Sequence, residues 1–529
     1  MKPRKNRTLL ITLIVTLIVW MAMIAILYLV ESRNDAATIR NLGDAIWYAV
    51  VTLTSVGYGD VTPVTHIGRV IGFIFVLSSV GILLALFGAA VSFLTSEGVP
   101  RLRLSFLRKR NWYYFSGFSE ESDALAQDVL RNDDDAVIIF GVAKEKGMEL
   151  PDYQCIFLNS SPLKVVKLKS GKGSRCKMFY VQEEDFSSNL SSVVFNKLDA
   201  DIYVRSYRGP ATEYDNIRFF HAYDCCARDY WKKYPLLNDE KDVVIIGFEN
   251  YGKAILERAI LTNIISESGR VRYHVFGDAS EFLMIHDRLR DVMNINENSG
   301  DEDSIIFHDG QWEACRELIA DASRVILCDD DEDKVWEDYW RMDQFYEIGG
   351  RVDIRSNTPR VGFSVFGTYE DMFTVQQIVR AKLNYTAYAL NELYMQGHPE
   401  NSVRWEQLSD SLQASKIATA DHLNAKVRII LGREAMTEVT AEDMEEADRL
   451  YHQQVRDPDI LENYRKIEHR RWRRYYAYNN WAWADKFDAK KRLHPMMVPY
   501  EELSEKQKES HDKAWELIGF VAPKLKEYE

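Results

Sequence analysis

Two regimes of hydrophobic patterning share this chain. From Leu9 to Val30 there are 22 consecutive uncharged residues, and from Val70 to Leu94 another 25. As a helix, each run is long enough to cross the ~30 Å hydrocarbon layer of a bilayer. The first exceeds the roughly 7–15-residue core of a signal peptide and has no clean small-residue cleavage site after it, so a retained anchor helix is predicted. Between the runs, Asp44 to Thr54 is apolar enough for a short re-entrant helix. Beyond residue 110 the pattern breaks into short apolar runs alternating with amphipathic stretches. Trp112–Phe115 precedes a helix carrying Ala124, Leu125, Val129 and Leu130, and Ala136–Phe140 reads as a buried strand. Val243–Ile246 precedes a second such helix with Ala254, Ile255 and Ile260. Strands alternating with helices predict parallel sheets covered on both faces.

These strand–helix units repeat. Gly117 and Gly247 lie 130 residues apart, and Phe118/Phe248 and Ala124/Ala254 keep that offset. Later, Ile202–Ser206 echoes Val352–Ser356. An internal duplication of a β-α-β unit is predicted. Residues 390–529 are instead helix-rich and aromatic. There, His398-Pro399, Trp405-Glu406 and Leu408-Ser409 recur as His494-Pro495, Tyr500-Glu501 and Leu503-Ser504. The predicted layout is a two-span segment over 1–98, a basic linker over 99–110, α/β lobes over 111–235 and 236–388, and a helical region over 389–529. The expected fold class is a membrane α-helical pore of two spans plus a pore helix, joined to Rossmann-like α/β lobes and a mostly α module.

Charge sharpens the division. Over the whole 529 residues the net charge is −14, which argues against a nucleic-acid polymer as partner. Residues 1–110 hold 12 basic and 5 acidic side chains, a net of +7, so the remainder carries −21. Basic clusters (Lys2, Arg4, Lys5, Arg7; Arg101, Arg103, Arg108–Arg110) flank the outer ends of both spans. The positive-inside rule then places both termini in the cytoplasm of a bacterial or archaeal cell, with the protein multi-pass in its inner membrane and surrounded by lipid. The six cysteines form no C-x-x-C pair and read as reduced thiols. No run of arginines precedes the first span, so no voltage sensor is expected.

The chemistry between the spans lies in Thr54-Ser55-Val56-Gly57-Tyr58-Gly59-Asp60. Non-helical backbone at membrane depth survives only when protein buries it or it lines water. Two glycines flanking a tyrosine allow backbone angles that aim successive carbonyls one way, and four copies around an axis would replace the hydration shell of K⁺. This segment, with Trp47 before it, Pro63 after it and spans of the right length, resembles the two-span potassium-channel pore family over about residues 8–95. The resemblance implies a homotetramer and K⁺ held by the carbonyls of Ser55, Val56, Gly57 and Tyr58. It also implies a filter-supporting pair, Trp47 and Asp60, and a gating hinge in the second span at Ser79, Gly81 or Gly88. Glu97 reads either as a charged ring at the inner mouth or as a solvated helix end.

Two lobes placed after such a pore resemble the domains that regulate potassium conductance, which implies an eight-lobe gating ring from four chains. The dinucleotide fingerprint is damaged. The first lobe reads Gly117-Phe-Ser119-Glu-Glu-Ser122, and the second Gly247-Phe-Glu249-Asn-Tyr-Gly252, with a carboxylate where backbone should meet phosphate. Gly247, Gly252 and Asp278 remain the nucleotide-binding candidates. Asp329–Asp333 is a candidate for Ca²⁺ or, alternatively, for capping the helix that follows.

Residues 465–520 resemble the RyR repeat of ryanodine receptors, with Asn480 where the family usually has glycine. The candidate ligand site comprises His469, Arg471, Trp472, Trp481, Trp483, Lys490, Lys491, His494 and Tyr500. Its aromatic rings suit a base, and its cations, with Arg470 and Arg473, suit phosphate. The alternative is an aromatic core with a solvated basic face. Together these readings predict a K⁺-selective channel, not an enzyme, gated by a small cytosolic ligand, with a nucleotide and Ca²⁺ as the candidates. A tethered NAD-linked enzyme and a non-conducting scaffold are the alternatives.

Overall fold

The computed structural model describes residues 3–95, 98–144, 147–169, 176–182, 199–206, 216–297, 302–397 and 403–528. Glu97 and His398-Pro399 lie outside the described residues. The chain divides into two compact units, Met1–Phe106 and Leu107–Glu529.

The first unit is four helices: α1 (Pro3–Glu31), α2 (Leu42–Leu53), α3 (His66–Thr95) and α4 (Gly98–Phe106). At 29 residues, α1 is about 44 Å long and covers the whole first uncharged run. Among the described residues, His66–Leu84 passes as long and apolar enough to cross a membrane, and Ile18–Glu31 and Leu42–Leu53 are shorter apolar stretches. Helix α2 begins where Asn41 and Asp44 form a reciprocal capping box, satisfying amides the first turn would leave unpaired. The helices meet in a small core of Trp20, Ile24, Leu27, Ala45, Ala49, Ile71 and Phe75. Trp20 packs edge-on against Phe75 and donates its Nε1–H to Ser78 Oγ at 3.1 Å. Outside that core, Val19, Met21, Phe73, Leu77, Leu84 and Phe87 stand exposed. Exposed apolar surface on this scale marks faces meant for lipid or for other protein.

In the second unit, the first sheet runs β3-β2-β1-β4-β5-β6, all parallel. Its strands are β1 (Asn111–Phe115), β2 (Ala136–Phe140), β3 (Cys155–Phe157), β4 (Cys176–Tyr180), β5 (Ala200–Arg205) and β6 (Ile217–Phe220). The second sheet contains β7 (Asp242–Ile246), β8 (Arg272–Phe276), β9 (Asn294–Ile295), β10 (Ser304–His308), β11 (Arg324–Leu327), β12 (Arg351–Arg355) and β13 (Ser364–Phe366). Its order is β13-β12-β11-β7-β8-β10-β9. Apart from the two-residue edge strand β9, both sheets follow the doubly wound order 3-2-1-4-5-6 of a Rossmann-like lobe. The repeat seen at Gly117 and Gly247 therefore extends through six strands. Helix Ala222–Lys233 leaves β6 and packs against helix Asn250–Thr262 of the second lobe, where Trp231 Nε1 donates to the Ile255 carbonyl at 2.9 Å.

The C-terminal helices Asp410–Leu431, Ala441–Gln454, Pro458–Tyr478 and Lys513–Tyr528 build a separate core around Leu423, Val427, Met444, Tyr464 and Trp515. Asn480 adopts φ 59°, a left-handed conformation that asparagine tolerates better than most residues, so the turn forms without the family's glycine. Helix Pro458–Tyr478 is tied to the second lobe by Arg470 on Glu302 at 2.9 Å and by Arg474 on Asp303. Burial opposes the charge on Asp303, but the guanidiniums of Arg474 and Arg470 and the amides of Val271 and Arg270 outweigh it and hold the carboxyl down at about 2.

Candidate functional site

The segment after α2 leaves the helix by a specific device. Ser55, Gly57 and Gly59 have φ of 58°, 61° and 75°, while Val56 and Tyr58 between them stay at negative φ. Alternating hands along a strand turns every carbonyl to one side and every amide to the other. The amide side is fixed by α2: Val56 N and Gly57 N both donate to the Val51 carbonyl, at 3.1 and 3.4 Å. The carbonyls of this stretch are thereby directed away from α2. A Cβ added at Gly57 or Gly59 would meet nothing within 4 Å, so glycine is required by the backbone angle and not by crowding.

Behind the segment, Trp47 Nε1–H donates to Asp60 Oδ2 at 3.0 Å, and the Trp47 ring lies parallel to Tyr58 with centroids 6.1 Å apart. Thr54 Oγ1 turns back to the Val50 carbonyl at 3.0 Å and closes the end of α2. Val56 and Tyr58 are 52% and 69% exposed in the single chain.

One residue in this unit escaped the sequence reading. Glu31, the last residue of α1, is fully buried and accepts the amides of Val64 and Thr65 at 3.0 Å each, together with the Thr65 hydroxyl. It pins the loop that precedes α3 to the end of α1. The available signal was a single carboxylate flush with the end of an apolar run. In α3, Ser79 is buried and returns its hydroxyl to the Val76 carbonyl at 2.7 Å, whereas Gly81 and Gly88 are exposed with open space beside them. The helix is continuous through all three.

The fingerprint of the second lobe is built but occupied from within. Gly247, at φ 89°, lies where a Cβ would sit 2.4 Å from Asp329 N, and a Cβ on Gly252 would sit 1.9 Å from the Gly247 carbonyl oxygen. Both glycines thus serve close strand–helix packing. At the start of helix Asn250–Thr262, Asp330 takes one backbone donor and one side-chain donor, its carboxylate accepting Tyr251 N at 3.1 Å and Asn250 Nδ2 at 2.6 Å. A pyrophosphate would need that position. Asp278 lies apart from it, exposed and engaged with Ser280. In the first lobe, Ser119 and Ser122 close the equivalent helix start with a capping box.

The acidic run disperses rather than converging. Asp329 pairs with Lys334, Asp330 caps the earlier helix, Asp331 accepts Asp333 N at 3.1 Å to cap helix Glu332–Phe345, and Glu332 accepts Asn357 N at 3.1 Å. Among the described residues no group of three or more acids, histidines or cysteines is placed to hold a metal ion.

The nine residues singled out in the C-terminal repeat do not share one surface. His469 is buried between His511 (3.1 Å) and the Val498 carbonyl (2.8 Å), and burial lowers its pKa to about 3, so it is neutral. Arg471 is buried on Glu468, which also binds Lys426 at 2.7 Å, and Tyr500 donates its hydroxyl inward to Glu462. Trp472, Trp481 and His494 do meet, with Tyr476 stacked on Trp472 at 4.2 Å and Phe487 on Trp481 at 5.7 Å. Trp483, Lys490 and Lys491 are exposed. Arg470, expected to meet phosphate, is spent on Glu302.

Comparison with known proteins adds to this geometry. Residues 13–96 match the family described as "Ion channel", and residues 456–522 match the RyR domain. Over 62 residues the chain is 47% identical to a voltage-gated potassium channel of Aeropyrum pernix, covering 12% of this chain and 21% of that one. Over 56 residues it is 39% identical to the calcium-gated potassium channel TvoK of Thermoplasma volcanium, covering 11% and 16%. The chain thus spans about a fifth or less of the length of these curated relatives. Among solved structures, the GsuK channel superposes with a TM-score of 0.41 at 11% identity, over 72% of this chain and 85% of that one. GsuK bound to ADP gives 0.38 at 14% identity, over 70% and 97%. At these scores the likeness carries no argument about the lobes.

Proposed function

We propose that four copies of this chain form a potassium-selective pore from their Ser55–Gly59 segments, and that a cytosolic ligand gates it through the Rossmann-like lobes and the C-terminal module. The observation that carries this reading is the alternation of hand at Ser55, Gly57 and Gly59, with the amide side anchored on Val51. One chain supplies a quarter of each oxygen ring, and four supply enough to replace the water around K⁺. The exposed faces of Val56 and Tyr58 support assembly around a shared axis. The pore-region matches to potassium channels agree with K⁺ as the permeant ion. Eight lobes from four chains would make a closed ring in the cytoplasm, with both termini on that side of the membrane.

Gating requires a ligand that prefers one ring shape. About 1–3 kcal/mol of preference per site, summed over four sites, shifts a two-state gate decisively. Nucleotides and Ca²⁺ are the classes to screen, although the dispersal of Asp329–Asp333 gives Ca²⁺ no preformed cage there. The test is Rb⁺ uptake into liposomes containing the purified full-length protein, measured against Na⁺ and across that screen. Uptake of Rb⁺ with exclusion of Na⁺ is expected. A folded tetramer that passes neither ion under any condition, or both equally, would defeat the reading.

A further inference from the structure

A cavity of about 210 Å³ lies where helix Ala222–Lys233, helix Asn250–Thr262, the turn Lys382–Asn384 and helix Asp410–Leu431 converge. Its lining is unusual for a unit so acidic. Arg228, Lys232, Arg258, Lys382 and Arg428 contribute positive charge, against Asp421, Glu434 and Glu438. Two of the cations are matched: Arg228 is held by both oxygens of Asp421 at 2.8 and 2.9 Å, and Arg258 by Asp224. Glu434 is turned to the backbone and side-chain amides of Asn238.

The other three cations are not matched. Arg428 is 8% exposed and donates Nε and Nη2 to the Met436 and Lys232 carbonyls at 2.8 Å each. Among the described residues, no carboxylate lies within ion-pair distance of Arg428, Lys232 or Lys382. Burial pushes the Arg428 guanidinium down to about 10, and burial together with nearby Lys382 lowers Lys232, while Glu438, Asp229 and Asp421 oppose that from a distance. Arg428 is buried, Lys232 half-buried and Lys382 exposed at the rim; a buried guanidinium without a carboxylate partner is costly, and an anion entering beside it would reduce the cost. Apolar side chains of Leu236, Ile429, Val439 and Met444 also line the cavity.

We infer that this cavity binds a small organic phosphate, its anionic group met by Arg428, Lys232 and Lys382 and its apolar body by Leu236, Ile429, Val439 and Met444. The site is separate from the second-lobe fingerprint and from the aromatic cluster of the C-terminal repeat. Its walls come from the helix that joins the two lobes and from the C-terminal helical region, so an occupant bridges both. As a regulatory site it rests on the proposed gating; as a binding site it does not.

The test is calorimetry on the full-length protein in detergent, titrated with AMP, glucose 6-phosphate and inorganic pyrophosphate, with Rb⁺ flux measured on the same preparation. Saturable binding of at least one organic phosphate, tighter than pyrophosphate, is expected. It should weaken about tenfold or more in the Lys232→Gln/Lys382→Gln double variant, with the melting temperature retained. Among the described residues neither lysine makes an ion pair, so the variant is expected to fold. Binding of neither organic phosphate, pyrophosphate binding as tightly, or affinity unchanged in the double variant each overturns the inference. Intact Rb⁺ flux without binding removes this site alone, and intact binding without flux removes the channel reading alone.

Discussion

The Met1–Phe106 unit and the Leu107–Glu529 unit satisfy their polar groups in opposite ways. In the first, chemistry is displayed. Residues 54–60 are exposed, the carbonyls of the segment face away from their own helix, and large apolar side chains of α1 and α3 stand open. In the second, charge is absorbed. Asp303 takes Arg474, Glu468 takes Arg471 and Lys426, Glu240 takes Arg324, and Asp330 takes the start of a helix. A unit that leaves its groups unsatisfied is completed by something outside it. A unit that satisfies them internally is a scaffold except where a mismatch persists, as it does around Arg428.

That contrast can be broken most severely at Gly57. Replacing it with alanine imposes about 1–2 kcal/mol of left-handed strain in each chain at the point where carbonyl direction is set. Rb⁺ uptake should fall to background while the melting temperature and oligomeric state, read by calorimetry and light scattering, stay at wild-type values. Loss of assembly instead would mean the segment holds the pore together rather than conducting through it.

In the large unit the severe lesion should be thermodynamic. Asp303→Ala takes the close carboxylate partner from the buried Arg474, while Arg470 keeps Glu302, at about 3–5 kcal/mol. Chemical denaturation should detect this as a lowered midpoint, and an unchanged midpoint would show that the helix does not depend on the pair.

Acid should separate the units next. Burial lowers His422 and His469 to about 3 and His511 to about 4, against an ordinary value of 6.5. These histidines are neutral in the folded protein and take up protons more readily unfolded. The stability they contribute is therefore complete above pH 6.5 and lost progressively as pH falls toward 4 and below. Asp303 adds a further loss below its ordinary 3.8. Melting of the large unit should fall across that range, and a flat profile from pH 7 to 4 would contradict the assignment.

The smallest effect is expected at the second-lobe fingerprint. Asp330→Ala should cost about 0.5–2 kcal/mol, as removal of a helix cap does, whereas Asp278→Ala should leave melting unchanged.

The same contrast explains what could be read from residues alone. The geometry of the segment after α2 was legible because it is carried by the main chain: two glycines, a turn and the flanking apolar runs prescribe it locally. The α/β order was legible from alternating runs and the 130-residue echo. Glu31 was not, because its partners lie 33 and 34 positions away on a loop without periodicity. In the C-terminal helix, composition pointed to a basic cluster but could not say which face each arginine takes. Arg470 and Arg474, four residues apart, turn to the second lobe, while Arg471 turns into the core. The acidic run was recognised as capping or metal-binding. The capping proved divided: Asp331 serves the following helix, and Asp330 serves one that begins 80 residues earlier.

Asp330 has a consequence for evolution as well as for structure. A covalently attached competitor is present at an effective concentration that freely diffusing metabolites rarely match. By carrying a carboxylate of its own at the start of that helix, the second lobe sets an internal rival against any diphosphate that would dock there. A ligand entering that position has first to displace the Asp330 side chain.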